Sequence, residues 1–296
     1  MGKYQFMQVD AFTNAPLGGN PCAVLFDTEN MGDDKMLAIA REMNLSETSF
    51  VRASDIADFG ARYFTPASEI PLAGHPTIAT VLALVESGRV RLTGEITEIT
   101  LELKAGVIPV EIRSINNNVN RIVMSQLKPD FLSSYDADIV LPIFGLTRND
   151  KIPDVPIQTV STGTPQLMIP LRSLESLARA QMEFNAYNRF VRETDFSSPH
   201  LFCIQGATPE GDTYARHLSP PPDIYEDPFT GSATGGMGAY LWKYGLIENP
   251  RFTAQQGHWL DRPGQAEVEV VGPPENIETV KVGGEAVLIL KGEFTL

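Results

Sequence analysis

The sequence predicts an α+β fold. Two similar lobes, related by a pseudo-twofold, each wrap a curled and mostly antiparallel sheet round one central helix. Three observations predict it. First, the chain repeats itself. Ala61-Arg62-Tyr63-Phe64-Thr65-Pro66 opens a stretch that reaches Gly74-His75 and stops at Gly88, and Ala215-Arg216-His217-Leu218-Ser219-Pro220 opens another that reaches Gly231-Ser232 and stops at Gly245. Gly74 to Gly88 and Gly231 to Gly245 are the same interval, 14 residues. Second, short β-branched and aromatic runs bounded by Gly, Pro and Asn outnumber helical patterns, and few lead directly into a long helix, which disfavours a doubly wound sheet. Third, the first repeat carries a segment apolar nearly all round, the pattern of a helix buried on every side.

Strands are expected at residues 4–12, 48–52, 59–64, 96–103, 107–113, 120–124, 166–170, 266–271 and 286–290. A helix at 33–44 has Met36, Leu37, Ala40 and Met43 on one face and acidic residues in its first turn. Shorter helices are expected at 136–144 and 173–182. The central helices fall at about 75–88 and 231–245, with Pro76 suited to a first turn and Gly88 and Gly245 to the ends. Gly235, Gly236 and Gly238 each cost about 1 kcal/mol against Ala inside a helix. That is tolerable where neighbouring backbone must come close. The first lobe is expected to span residues 1–115 and the second 116–296, with an Asn-rich turn at 116–120, a Pro-containing linker at 151–156, and final strands free to cross back.

A chain of 296 residues, 43% apolar and 20% charged, can bury a large core. Its net charge of −14 argues against a nucleic-acid or anionic-membrane partner, which would need clustered Lys and Arg. There is no signal-peptide pattern and no apolar run of membrane-spanning length, so a cytoplasmic protein is expected. Cys22 and Cys203 sit in apolar runs and read as buried free thiols. Histidines 75, 200, 217 and 258 lack ligand spacing, so no metal is expected. The glycine-rich stretch 230–238 matches neither nucleotide-binding pattern, and Ser232 lacks a nucleophile elbow.

The chemistry should lie where the repeats begin their helices. Gly74 and Gly231 stand at those starts, where free N–H groups and a partial positive charge hold an anion without Lys or Arg. Two such ends facing one cleft would grip a carboxylate. His75 follows Gly74, Ser232 follows Gly231, Asp227 lies just ahead, and Glu47 precedes a strand. An imidazole and two carboxylates in a dry pocket suffice to move a proton between carbons, and burial would raise the pKa of Glu47. Glu69 and Glu226 are rival carboxylates. Phe12, Tyr63, Tyr225 and Phe229 are candidate pocket walls.

These residues carry a resemblance. Val9-Asp-Ala-Phe12, Gly19-Asn-Pro21, Asn44-Leu-Ser-Glu-Thr-Ser-Phe50, Pro71-Leu-Ala-Gly-His-Pro-Thr77, Ser161-Thr-Gly-Thr-Pro165 and Glu226-Asp-Pro-Phe-Thr-Gly-Ser-Ala233 resemble the phenazine-biosynthesis (PhzF-like) isomerase family, which has the diaminopimelate epimerase fold. The resemblance covers essentially the whole chain. It implies two β-roll lobes with the active site between them, commonly a homodimer, and acid–base isomerisation without cofactor or metal. It implies that Glu47 is the catalytic carboxylate, with Gly74, His75, Asp227, Gly231 and Ser232 completing the site. In the phenazine enzyme the substrate is a dihydro-hydroxyanthranilate, whose double bonds shift as a proton moves between ring carbons. Relatives on this fold that racemise amino acids use a cysteine at each helix start. Here those positions read His75 and Ser232, so a two-thiol epimerase is not expected. The expected function is a proton-moving isomerase of a small amino- or hydroxy-carboxylate. The alternative is a carboxylate-binding scaffold that keeps the pocket without turnover, against which stands the intact set of Glu47, His75, Asp227 and Ser232.

Overall fold

The computed structural model describes residues 2–296. The first half of the chain forms β1 (Lys3–Ala11), β2 (Asn20–Leu25), β3 (Glu47–Arg52), β4 (Phe59–Phe64), β5 (Glu69–Ile70), β6 (Ile96–Leu103), β7 (Gly106–Ile115) and β8 (Asn118–Ser125), with helices α1 (Asp33–Met43) and α2 (Gly74–Glu86) among them. The second half forms β9 (Asp130–Tyr135), β10 (Ile157–Ser161), β11 (Pro165–Leu171), β12 (Ser198–Cys203), β13 (Thr213–Leu218), β14 (Glu226–Asp227), β15 (Arg251–Gln256), β16 (Gly264–Val271), β17 (Thr279–Gly284) and β18 (Ala286–Thr295). Among these lie α3 (Ala137–Val140), α4 (Leu174–Arg179), α5 (Phe184–Phe190) and α6 (Gly231–Lys243).

The strands form one curled ribbon. Its neighbours run β18, β1, β2, β3, β4, β6, β7, β8, then β17, β16, β15, β13, β12, β11, β10, β9. The order of pairings is the same from both ends. β2–β3 matches β11–β12 as a parallel pair, β4–β6 matches β13–β15, and the other pairs are antiparallel. β5 and β14 are matching two-residue strands on β4 and β13. The pseudo-twofold passes between β8 and β17, and the α+β, two-helix architecture is the one expected.

The dyad equates residues one by one. Tyr63 faces Ser49 and Ile70 across the sheet, as His217 faces His200 and Asp227. Glu47 lies opposite Cys22, as Ser198 lies opposite Gln166. Gly19-Asn-Pro-Cys22 is thus the counterpart of Gly163-Thr-Pro-Gln166.

α2 is buried from Gly74 to Leu84 and α6 from Gly231 to Leu241. The sheet covers every face of each, which is why both can be apolar all round. The glycines of α6 admit side chains rather than backbone. A Cβ on Gly235 would lie 1.9 Å from Gln126 Oε1, one on Gly236 2.9 Å from Met168 Cε, and one on Gly238 2.9 Å from Val268 Cγ1. Both cysteines are free and buried. Among the described residues no helix is long and apolar enough to cross a membrane.

Candidate active site

α2 and α6 meet at their N-termini. A Cβ on Gly74 would lie 2.6 Å from Gly231 Cα, and a Cβ on Gly231 would lie 2.7 Å from Phe12 Cζ and 3.0 Å from Gly74 Cα. Only glycine permits that approach. Neither helix has a side-chain cap, so the first-turn amides keep their donors free. Phe12 stacks on Phe229 behind the junction, with centroids 4.2 Å apart.

A cavity of about 320 Å³ opens on the other side of this junction. Glu47, Gly74, His75, Asp227, Gly231 and Ser232 all line it. The expected walls do not. Phe12, Phe229 and Tyr63 are buried in the core, because they fill the space the glycine starts leave and the interior of the first lobe, and Tyr225 faces solvent. Ile70, Leu72 and Ile224 supply the apolar lining instead.

His75 Nε2 lies 3.1 Å from Glu47 Oε2, and the two side chains are 3% and 15% exposed. Neither atom has a properly directed hydrogen-bond partner and neither is exposed, so the pair is unsatisfied within residues that line the cavity. Asn20, which sequence reasoning missed, orders the rest. Its Nδ2 lies 2.9 Å from His75 Nδ1, 2.7 Å from Asp227 Oδ1 and 2.9 Å from the Phe229 carbonyl. The reversed amide would set oxygen against two acceptors, so Nδ2 is the donor and His75 Nδ1 accepts. His75 therefore carries its hydrogen on Nε2, toward Glu47. Arg262 holds the loop before Asn20 through the carbonyls of Gly18 and Gly19, 2.7 and 2.9 Å away.

Burial sets the protonation states. It holds His75 neutral, with its pKa lowered to about 3. It raises Glu47 well above the carboxylate range, and the charges of Asp227 and Asp223 add to this. Burial also raises Asp227, to about 6, against hydrogen bonds from Ser46, Thr230 and Asn20 that favour its charged form. Gln256 fastens the turn by donating to the Asp227 carbonyl at 2.7 Å.

The rival carboxylates are occupied. Arg62 Nε bonds Glu69 at 2.7 Å, and Arg216 bonds Glu226 at 2.9 and 2.6 Å through its Nε and a terminal nitrogen. The two repeats thus use one Arg–Glu pair twice. Gln166 also lines the cavity and donates to Ser232 Oγ at 3.0 Å. Cys22 lies beside Glu47 in strand register, but burial raises its pKa well above the thiol range and its sulfur belongs to the core. One ligand atom from each of Glu47, His75 and Asp227 lies within 4.8 Å of the others. That grouping has the donor types to hold a cation and equally those for acid–base work.

Comparisons with known proteins show the family and the fold. The phenazine biosynthesis-like (PhzC-PhzF) family model matches residues 9–292. An uncharacterised isomerase of Bacillus subtilis is 34% identical over 272 residues, 91% of this chain and 92% of that protein. The trans-2,3-dihydro-3-hydroxyanthranilate isomerase of Pseudomonas chlororaphis is 30% identical over 297 residues, 99% of this chain and all of that one. Among solved structures, a PhzF-family phenazine biosynthesis protein of Bacillus anthracis superposes with a TM-score of 0.86 at 30% identity, covering 100% of both chains. A hydroxyproline epimerase of Agrobacterium vitis, at 12% identity and a TM-score of 0.71 over 98% of this chain and 92% of that one, shares the fold.

Proposed function

The chain belongs to the phenazine biosynthesis-like (PhzC-PhzF) family and is an isomerase, and we propose that it moves a proton between carbons of a small cyclic or unsaturated amino- or hydroxy-carboxylate. The observation that carries this reading is the convergence of Glu47, His75 and Asp227 beside the abutting helix starts. Glu47 as carboxylate takes a proton from one carbon. The C–H electron pair enters the adjacent π system, and the proton returns to another carbon, so composition is unchanged. The raised pKa brings Glu47 toward neutrality, where a group can both take and give a proton. His75 donates from Nε2, and Asp227 assists transfer and orients an amino or hydroxyl group. Ser232 and the first-turn amides of α2 and α6 hold the carboxylate and the charge that develops. No cofactor or metal takes part in this scheme.

The test is solvent deuterium exchange into the dihydro-hydroxyanthranilate substrate of the relatives, comparing wild type with Glu47→Gln. Loss of exchange by about 10²-fold or more is expected from removing an acid–base group. Exchange at the wild-type rate would exclude Glu47 as the base.

A further inference from the structure

His200 on β12 and His217 on β13 are cross-strand partners, both buried, with their Nδ1 atoms 3.4 Å apart. The scheme above uses neither. Burial keeps both rings neutral, with His217 lowered to about 3 and His200 well below its usual value. Two neutral imidazoles joined through Nδ1 share one hydrogen, so one ring donates and the other accepts. His200 Nε2 is sealed off without a partner. An orphaned buried N–H is the costlier alternative, and an orphaned lone pair the more tolerable one. His200 therefore keeps its hydrogen on Nδ1 and donates it to His217. His217 must then carry its own hydrogen on Nε2.

That edge of His217 is the available one. His217 lines the cavity and stands opposite Asp227 in the β13–β14 register. Its Nε2 has no protein partner and is not among the atoms sealed from the cavity. The dyad-related position in the first lobe offers no such donor. Tyr63 is buried, with its hydroxyl on Thr77 Oγ1 at 3.0 Å. The lining is mixed, with Gln166, Ser198, Ser219 and Ser232 neutral and Asp223 and Asp227 acidic, so what His217 itself adds to this wall is a fixed N–H for an acceptor oxygen.

We propose that His217 is a specificity-determining substrate contact, a fixed Nε2–H donor to a substrate carboxylate oxygen, and that His200 is the positioning residue that locks its tautomer. This rests on the cavity being the active site. It makes recognition depend on an acceptor at one place on the second-lobe wall, which an amine or hydrocarbon group there would not meet.

Two measurements on the full chain test it. In ¹⁵N-histidine spectra of wild type, His200 should show the Nδ1–H tautomer and His217 the Nε2–H tautomer. His217 found as Nδ1–H overturns the inference. Calorimetric titration with anthranilate supplies the second. His217→Phe should weaken binding by about tenfold or more, the worth of a hydrogen bond to a charged group. His217→Gln, which returns an N–H near Nε2, should stay within about threefold of wild type. His200→Asn should likewise keep affinity, and His200→Leu should lose it and mix the His217 tautomers. Equal affinity in His217→Phe and wild type sinks the proposal. If saturating anthranilate moves neither the His75 nor the His217 resonance, the reading of the cavity falls instead, and the tautomers still decide the state of His217.

Discussion

Gly74 and Gly231 touch backbone to backbone across the two lobes: a Cβ on the first would fall 2.6 Å from the Cα of the second. This contact brings two uncapped helix starts into one cavity. Gly74→Ala should therefore cost about 1–3 kcal/mol through overpacking. Activity should fall about 10²-fold, as small displacements of reacting groups do. Gly32→Ala is the control, because its Cβ meets nothing within 4 Å. Thermal melts and turnover check it, and a fully active Gly74→Ala would show that the junction does not set the geometry.

The Arg–Glu pairs predict a separation of stability from catalysis. Arg216 and Glu226 are each 11% exposed. Glu226→Gln should lose about 1–3 kcal/mol by leaving a buried guanidinium without its charge partner. Turnover should stay within about threefold. Asp227→Asn, one residue on, should do the reverse. Denaturation and rate measurements on both variants decide it, and a catalytically dead but fully stable Glu226→Gln would reverse the assignment.

The pH dependence follows from the same burial. In the proposed scheme an ionised carboxylate is the base, and burial raises Glu47 well above the carboxylate range and Asp227 to about 6. The acid limb of kcat/KM should thus lie above an ordinary carboxylate value. The pair shares the limb, so it belongs to neither residue alone. Asp227→Asn removes a negative charge that raises Glu47, so its residual activity should show the limb at lower pH. His75, lowered to about 3, should not contribute above pH 4. A limb that stays put or moves up in Asp227→Asn contradicts this.

Chelation separates the two uses of the Glu47, His75 and Asp227 grouping. Dialysis against a strong chelator should leave activity unchanged, and added divalent ions should not raise it. Loss of activity on chelation, restored by one metal, would turn the acid–base scheme into a metal-assisted one.

Much of the candidate site was legible because most of the residues that line the cavity together lie within a few positions of repeated landmarks. His75 and Ser232 each follow a helix-start glycine, and Asp227 precedes one. Asn20 was not, because its partner Asp227 lies 207 positions away. Nor was β15 (Arg251–Gln256), where no strand was expected and whose Gln256 donates to the Asp227 carbonyl.

What the sequence by itself determined is the duplication: two apolar helices, their glycine starts, and the chemical types set beside them. These are local, and local patterns survive in one dimension. Tertiary structure alone decided which copy of each repeated position does what. Tyr63 and His217 are equivalent along the chain, yet one hydroxyl is tied inside its lobe while the other ring reaches the cavity. Register across strands and the burial of unlike partners make that choice, and both arise only when distant segments pack together.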